Sequence, residues 1–92
     1  MVELTVTPAA LDCFRQEWAF GDGEHIRVFV RYITEGDPPF AFGITRDTPS
    51  DAALTTVAGS LTFFMERKDV WFLQGNRLTI DCLGEDIVFQ LL

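Results

Sequence analysis

Thiol and imidazole side chains, which are common nucleophiles and general bases, are scarce in this chain of 92 residues. The sequence contains two cysteines, Cys13 and Cys82, and a single histidine, His25. A thiol nucleophile needs a base within hydrogen-bond reach, and nothing in the spacing brings His25 to either cysteine. We interpret His25 as a structural residue and both cysteines as small, reduced core residues, with a disulfide between them left open. The sequence lacks GxSxG, Walker and HExxH motifs, so we predict that the chain is not an enzyme.

Three short clusters combine carboxylates with glycine. They are Asp22-Gly23-Glu24, Glu35-Gly36-Asp37 and Gly84-Glu85-Asp86. Two such clusters could in principle converge on a hard divalent cation through oxygen ligands. None of them has the ordered ligand spacing of a calcium loop, and aspartate and glycine are also the residues from which turns are built. We therefore expect turns at all three positions.

Composition and charge narrow the classes of partner. The sequence is 48% hydrophobic and carries fourteen acidic against seven basic residues, for a net charge of −7. This charge repels nucleic acid and anionic membrane surfaces, so neither is an expected partner. The N-terminus shows no signal-peptide pattern, and no stretch approaches the ~20 apolar residues of a membrane span. We therefore expect one acidic cytoplasmic domain over residues 1–92.

The start of the chain predicts a strand followed by an amphipathic helix. Residues 2–6 alternate apolar and polar side chains, which is typical of a strand with one buried face. Thr7 and Pro8 form a helix start, because a hydroxyl cap is followed by proline at the first helical position. We predict a helix over 8–19 that ends at the glycines of 21–23. Its core face is expected to consist of Leu11, Phe14 and Trp18.

The rest of the sequence is dominated by alternation of period two, which predicts strands. A pair of prolines interrupts the alternation, so residues 33–39 are predicted to be a connection. Gly59 lies in a short turn between two strands, where a positive φ is expected. Residues 67–73 predict a short helix closed by Gly75. The predicted strands are 26–32, 40–44, 54–57, 61–65, 78–82 and 87–91.

Four segments, in this order along the chain, resemble a known family. They are the Thr7-Pro8-Ala9-Ala10 helix start, the strand ending in Val30-Arg31, the loop Asp47-Thr48-Pro49-Ser50-Asp51, and Asp69-Val70-Trp71-Phe72-Leu73-Gln74-Gly75 ahead of Leu78. The last segment is similar to an aromatic-Leu-Asp-Gly-x-x-Leu stretch. Together they resemble the HesB-like domain of the A-type iron–sulfur carriers, the IscA-like family, over nearly the whole chain. The resemblance implies a β-rich α+β fold: two small packed mixed β-sheets, an N-terminal amphipathic helix and one short late helix.

That family holds iron or an iron–sulfur cluster through three cysteines, and this sequence departs from the pattern. The first cysteine belongs to a loop that corresponds here to Thr34-Glu35-Gly36-Asp37. The other two form a Cys-Gly-Cys pair in a tail after the last strand, and this sequence reaches Leu92 at that strand. Neither Cys13 nor Cys82 matches a ligand position, and we expect two distant core thiols to be unable to chelate a cluster. We therefore expect no cofactor and no cysteine-ligated metal.

Two functional hypotheses follow. The first is a non-enzymatic HesB-like scaffold protein, related to iron–sulfur cluster biogenesis, that acts by protein–protein contact. The resemblance implies self-association, such as a homodimer, and the acidic surface suits a basic partner. The alternative is a protein that binds iron or another divalent cation through carboxylates of the 35–37 loop. Its predicted ligands are Glu35 and Asp37, joined by Asp81 or Cys82; no catalytic or cofactor-binding residue is predicted.

Overall fold

Strands dominate the computed structural model of the chain, which describes residues 2–33 and 40–92. No helix in these ranges is long and apolar enough to cross a membrane. In chain order the elements are β1 (Glu3–Val6), α1 (Pro8–Gln16), β2 (His25–Tyr32), β3 (Phe40–Arg46), β4 (Ala52–Ala58), β5 (Leu61–Glu66), α2 (Arg67–Val70), a 3₁₀ turn (Trp71–Leu73), β6 (Arg77–Leu83) and β7 (Asp86–Leu91).

The strands form two mixed sheets, as predicted. A three-stranded sheet has the order β1-β6-β7, in which β1 is parallel to β6, and a four-stranded sheet has the order β3-β2-β5-β4, in which β2 is parallel to β5. The apolar positions of the alternating strands face each other between the sheets, and α1 adds Phe14 to the same core. The fully buried large side chains are Phe14, Ile26, Val28, Leu61, Phe63, Phe64, Met65, Leu73, Leu78 and Ile80.

The first helix begins where predicted but ends three residues early. Its cap is Thr7, whose hydroxyl accepts a hydrogen bond from the N–H of Ala10 at 3.1 Å, with Pro8 following. The predicted end at residue 19 is wrong, because Ala19 adopts a left-handed φ of 58° and reverses the chain before the glycines. This reversal buries Phe20 in the core and leaves Trp18 39% exposed, so Trp18 is not the core residue that the helical spacing predicts.

The later turns follow the predictions more closely. Gly59 has the expected positive φ of 59° in the turn between β4 and β5. The predicted helix over 67–73 is an α-helical turn continued by a 3₁₀ turn. Its left-handed end begins one residue before the predicted Gly75, at Gln74 with a φ of 51°. The two described carboxylate–glycine clusters, at 22–24 and 84–86, contain turns as expected.

A buried ion pair joins α2 to the centre of the four-stranded sheet. Along β2, pairing with β5 reaches only Arg27, because β5 then turns into α2. Beyond that point, the edge of β2 that faces β5 is contacted by the Asp69 side chain of α2. Its carboxylate accepts hydrogen bonds from the Arg27 guanidinium at 2.7 Å and from the backbone N–H of Val30 at 3.4 Å. Asp69 is only 6% exposed, so water cannot substitute for these partners.

We predict that Asp69→Ala lowers the free energy of unfolding by about 3 kcal/mol, because it leaves the largely buried Arg27 guanidinium with only a longer contact to Asp47, at 3.7 Å, and leaves the Val30 N–H without its acceptor. Urea unfolding followed by circular dichroism measures the loss. The control is Glu3→Ala, which removes an exposed ion pair with Arg77 and is expected to change the free energy by less than about 0.5 kcal/mol. Equal effects of the two substitutions would contradict this role for Asp69.

Candidate interaction site

In residues 2–33 and 40–92, one side of the two-sheet sandwich is open. On the other side, the edge strands β1 and β4 contact each other. On the open side, the edge strands are β3 and β7, and an open groove of about 570 Å³ runs along them. We call it the edge groove. Its apolar lining residues are Trp18, Phe29, Phe42, Ile44, Ile87 and Phe89.

Strand alternation explains why these residues line the edge groove. Phe42 and Ile44 are two apart on β3, so they share a face, and Ile87 and Phe89 do the same on β7. The Phe42 and Phe89 rings lie 5.2 Å apart between centroids, which joins the two sheets at the floor of the groove. All four side chains are only half-buried, although they pack against the core. The structure thus leaves an apolar seam partly open to water.

A glycine shapes the rim of the groove. Gly43 is paired with Phe29 on the neighbouring strand, and the Phe29 ring lies directly over it. A methyl group at position 43 would overlap the ring, so only glycine permits this close approach. Phe29 therefore lies flat across the β2–β3 hairpin and extends the apolar lining onto the outer face of the sheet.

Six aromatic rings continue the apolar surface beyond the groove. Centroid separations between neighbours range from 5.2 to 5.8 Å, most with tilted or edge-to-face geometry. Two of the rings are well exposed, Tyr32 at 67% and Trp71 at 56%. Exposed aromatic surface of this kind is typical of protein interaction sites. The six residues of this aromatic row are Tyr32, Phe40, Trp71, Phe72, Phe42 and Phe89.

Charged side chains stand at the rim of the edge groove. Glu85 and Asp86, in the turn that opens β7, are exposed and line the groove. Arg31 is also among the lining residues. In the described part of the chain, none of these three takes part in an ion pair, whereas Arg46 and Glu24 nearby bind each other. The rim charges are therefore available to a partner.

The predicted alternative metal ligands are only partly within the described residues. Glu35 and Asp37 lie outside them. Asp81 and Cys82 are adjacent on β6, and the Asp81 carboxylate accepts hydrogen bonds from the Thr7 hydroxyl at 2.8 Å and the Cys82 backbone N–H at 2.7 Å. These bonds lower the pKa of Asp81. Across residues 2–33 and 40–92, no group of three or more histidine, cysteine, aspartate or glutamate side chains could hold a metal ion. Asp81 instead holds the cap of α1 against β6.

The two cysteines are neighbours, not the distant thiols that we expect from the sequence. Both line a small cleft between α1 and the β6–β7 turn. The Cys13 thiol donates to the carbonyl of Glu85 at 3.6 Å, and the Cys82 thiol donates to the carbonyl of Gly84 at 3.1 Å. Burial raises the pKa of Cys13 to about 11, and the neighbouring Cys82 thiol and nearby negative charge add to the effect. Cys13 is therefore a protonated, unreactive thiol near neutral pH. His25 lies away from this cleft, exposed at the start of β2.

Sequence reasoning missed the edge groove. The alternation of Phe42 with Ile44 and of Ile87 with Phe89 predicts strands with a buried face. It does not say which strands lie at sheet edges, because edge position depends on how distant strands pair. The high content of aromatic residues was the available signal, and it is as typical of a core as of a binding surface.

Comparison with known proteins identifies a curated relative and a solved structure that are similar to this chain. The relative is the pyruvate dehydrogenase inhibitor of Bacillus subtilis (strain 168), 30% identical over 81 residues that cover 86% of this chain and 85% of that protein. The structure is that of Escherichia coli SufA, a protein involved in the biosynthesis of iron–sulfur clusters. It matches with a TM-score of 0.62 at 22% identity, covering 98% of this chain and 79% of SufA. This likeness confirms the HesB-like fold. The sequence matches no profile of a known protein family.

We predict that the contribution of Asp81 to stability depends on pH. Because its pKa is lower in the folded chain than in the unfolded chain, its contribution is present above the ordinary aspartate value of about 3.9. The contribution is lost as the pH falls through the lowered folded value. Asp81→Asn should therefore destabilise the fold at pH 7 and have a smaller effect at pH 3, measured by urea unfolding. Thr7→Ser keeps the hydroxyl donor and should behave as the wild type, whereas a mutational effect independent of pH would contradict the prediction.

We also predict that Cys13 resists alkylation until strongly alkaline pH. Its thiol stays protonated below about pH 11, and the raised pKa means that its contribution to stability is lost as the pH rises from about 9 to about 11. Cys82→Ala removes a neighbouring thiol that helps to raise the pKa of Cys13, so the pH at which Cys13 reacts should fall. Iodoacetamide labelling against pH, read by mass spectrometry, measures both. Rapid labelling of wild-type Cys13 at pH 8 would contradict the assignment.

Proposed function

The chain belongs to the same family as the Bacillus subtilis pyruvate dehydrogenase inhibitor and has the HesB-like fold, and from this premise we propose that it is a non-enzymatic protein that inhibits a pyruvate dehydrogenase by direct contact. The aligned region spans most of both proteins, so the proposal concerns the chain as a whole. The predicted contact mechanism needs no resident cofactor and no catalytic side chain.

The edge groove is the observation that carries the contact mechanism. It combines half-buried apolar side chains with an aromatic row whose outer members, Tyr32 and Trp71, are mostly exposed. Large rigid rings contribute much of the binding energy at protein interfaces, because they bury a large area with few rotatable bonds. The rim carries two carboxylates, Glu85 and Asp86, against one guanidinium, Arg31, and together with the net charge of −7 this favours a basic surface on the partner.

A role related to iron–sulfur cluster biogenesis is the second candidate. The observation that favours it is the fold match with SufA over 98% of this chain. A shared fold does not by itself transfer a function, since function lies in the site that the fold carries. On this candidate, too, the chain would act through protein contact at the edge groove. The two candidates therefore differ in the partner and share the surface.

We predict that the purified chain slows NAD⁺ reduction by a pyruvate dehydrogenase complex from the same organism in a saturable manner. Ile44→Lys places a charge at the floor of the edge groove, and circular dichroism checks that the variant is folded, since Ile44 also packs against the core. The substitution should raise the concentration needed for half-inhibition by about tenfold, equivalent to about 1.4 kcal/mol. Steady-state absorbance of NADH measures the inhibition.

The matched control is Val57→Lys, which makes the same change at an exposed position of β4, the opposite edge strand of the same sheet. This variant should inhibit like the wild type. Raising the salt concentration should weaken inhibition, because the predicted complementarity is partly electrostatic. The proposed function is wrong if a saturating amount of wild-type chain neither binds the complex nor changes its rate.

A further inference from the structure

We propose that the edge groove binds its partner by strand addition: an extended segment of the partner pairs with the free edge of β3 and inserts alternate apolar side chains into the groove. Basic residues of the same segment would meet Glu85 and Asp86 at the rim. This proposal rests on the proposed function in one respect, namely that the chain acts by protein contact. It adds the recognition mode and the chemistry of the partner segment.

The strand register identifies the free backbone groups of β3. The N–H of Asp47 donates to the carbonyl of His25 at 3.2 Å, so this facing pair is hydrogen-bonded. In an antiparallel ladder, hydrogen-bonded and non-hydrogen-bonded pairs alternate. Counting from that pair along the register, the Phe29–Gly43 pair is bonded and the Val28–Ile44 pair is not. The N–H and C=O groups of Ile44 therefore point away from β2, toward the open edge.

A contact on the opposite edge of β2 agrees with this assignment. The same count places Val30 and Phe42 in a non-bonded pair, so the N–H of Val30 must point away from β3. It does, because it donates to Asp69 on the other side of β2. The backbone groups of Phe42 consequently face the open edge as well. In the described part of the chain, no backbone hydrogen bond reaches Phe42 or Ile44 from that side.

The edge of β7 has the same arrangement. Arg77 and Leu92 exchange two backbone hydrogen bonds, at 3.1 and 2.9 Å, which sets the alternation of the β6–β7 ladder. By that alternation the free backbone groups of β7 belong to Ile87, Phe89 and Leu91, of which Ile87 and Phe89 line the groove. A strand added to β3 would extend the four-stranded sheet, and its inward side chains would lie against these two residues.

The two edges of the four-stranded sheet differ in how they are protected. Sheet edges are commonly blocked by bulges, prolines or inward-pointing charges, because an unblocked edge accepts another strand. On β4 the register is broken by a bulge between Ala52 and Leu54. On β3 the seven residues pair with β2 in unbroken register and contain no proline, and their groove-facing side chains at 42 and 44 are apolar. The unprotected edge is the one beside the groove.

The charge at the rim specifies the segment that fits. Glu85 and Asp86 are exposed beside the groove and form no ion pair within residues 2–33 and 40–92. A segment that alternates apolar and basic residues places its apolar side chains in the groove and its basic ones toward these carboxylates and solvent. A second copy of this chain carries the same net charge of −7, which opposes self-pairing.

Amide hydrogen exchange by NMR tests strand addition directly. The probe is a synthetic peptide of alternating valine and lysine, and its control is a peptide in which glutamate replaces each lysine. In the free chain, the outward amides of Phe42 and Ile44 should exchange quickly, whereas the ladder amides of Gly43 and Thr45 should be protected. The valine–lysine peptide should slow exchange at Phe42 and Ile44 at least tenfold, and the glutamate peptide should not.

The same exchange measurement with the pyruvate dehydrogenase complex separates the two proposals. Protection of Phe42 and Ile44 by the peptide without inhibition of the complex would leave strand addition standing and remove the proposed function. Inhibition of the complex without protection of these amides would do the reverse. Strand addition is also overturned if neither probe protects them. It is overturned as well if they are already protected in a free chain that sediments as a dimer, since a second copy would then occupy the edge.

Two substitutions to proline, one on each edge strand of the four-stranded sheet, supply the mutational test. Ile44→Pro removes an N–H that faces the open edge, so the ladder to β2 stays intact while strand addition loses a donor. Peptide affinity should fall at least tenfold. The matched control is Val57→Pro. The two-residue turn at 59–60 makes Ala58–Leu61 a bonded pair, so the backbone N–H of Val57 points away from β5 and takes no part in the β4–β5 ladder. This variant should bind as the wild type does. Equal loss in both variants, with both folded by circular dichroism, would contradict the proposal.

Discussion

The buried Asp69 carboxylate determines how the late helix meets the sheet. It accepts hydrogen bonds from the Arg27 guanidinium and from the Val30 backbone N–H. Asp69 therefore contacts β2 just beyond the point where pairing with β5 stops. The 3₁₀ turn that follows α2 is thereby held beside the end of the β2–β3 hairpin. This places Trp71 and Phe72 against Phe40 and forms the aromatic row. The exposed aromatic surface thus depends on a polar interaction in the interior.

The sandwich closes on one side and stays open on the other. The contact between β1 and β4 closes one side, and within the described residues β3 and β7 meet through side chains such as Phe42 and Phe89. A protein of this size has limited apolar surface with which to form its core, yet here aromatic rings remain partly exposed. The proposed contact function accounts for that exposure. Two of the described groups that could do chemistry are instead engaged in structure: Asp81 supports the helix cap, and Cys13 is buried and protonated.

Local patterns in the sequence predicted the elements well where a single period governed them. Alternation located the strands to within a few residues, and Thr7-Pro8 located the start of α1, because these signals depend on near neighbours. The predicted end of α1 was wrong, because the free energy gained by burying Phe20 in the core outweighs the cost of a left-handed backbone at Ala19. The contact between Cys13 and Cys82 was also missed, since sequence separation says nothing about which elements pack together.

By itself, the sequence determined which segments form strands, the turn at Gly59, the acidic net charge and the low number of thiol and imidazole side chains. These follow from residue type and short-range periodicity. The tertiary structure alone decided that β3 and β7 are edges, that their free backbone groups coincide with apolar side chains, and that Asp69 substitutes for a strand. The physical reason is that strand order and register are set by pairing between residues far apart in the chain, and a local pattern is compatible with several such pairings. The function proposed for this protein depends on the features that only the tertiary structure decided.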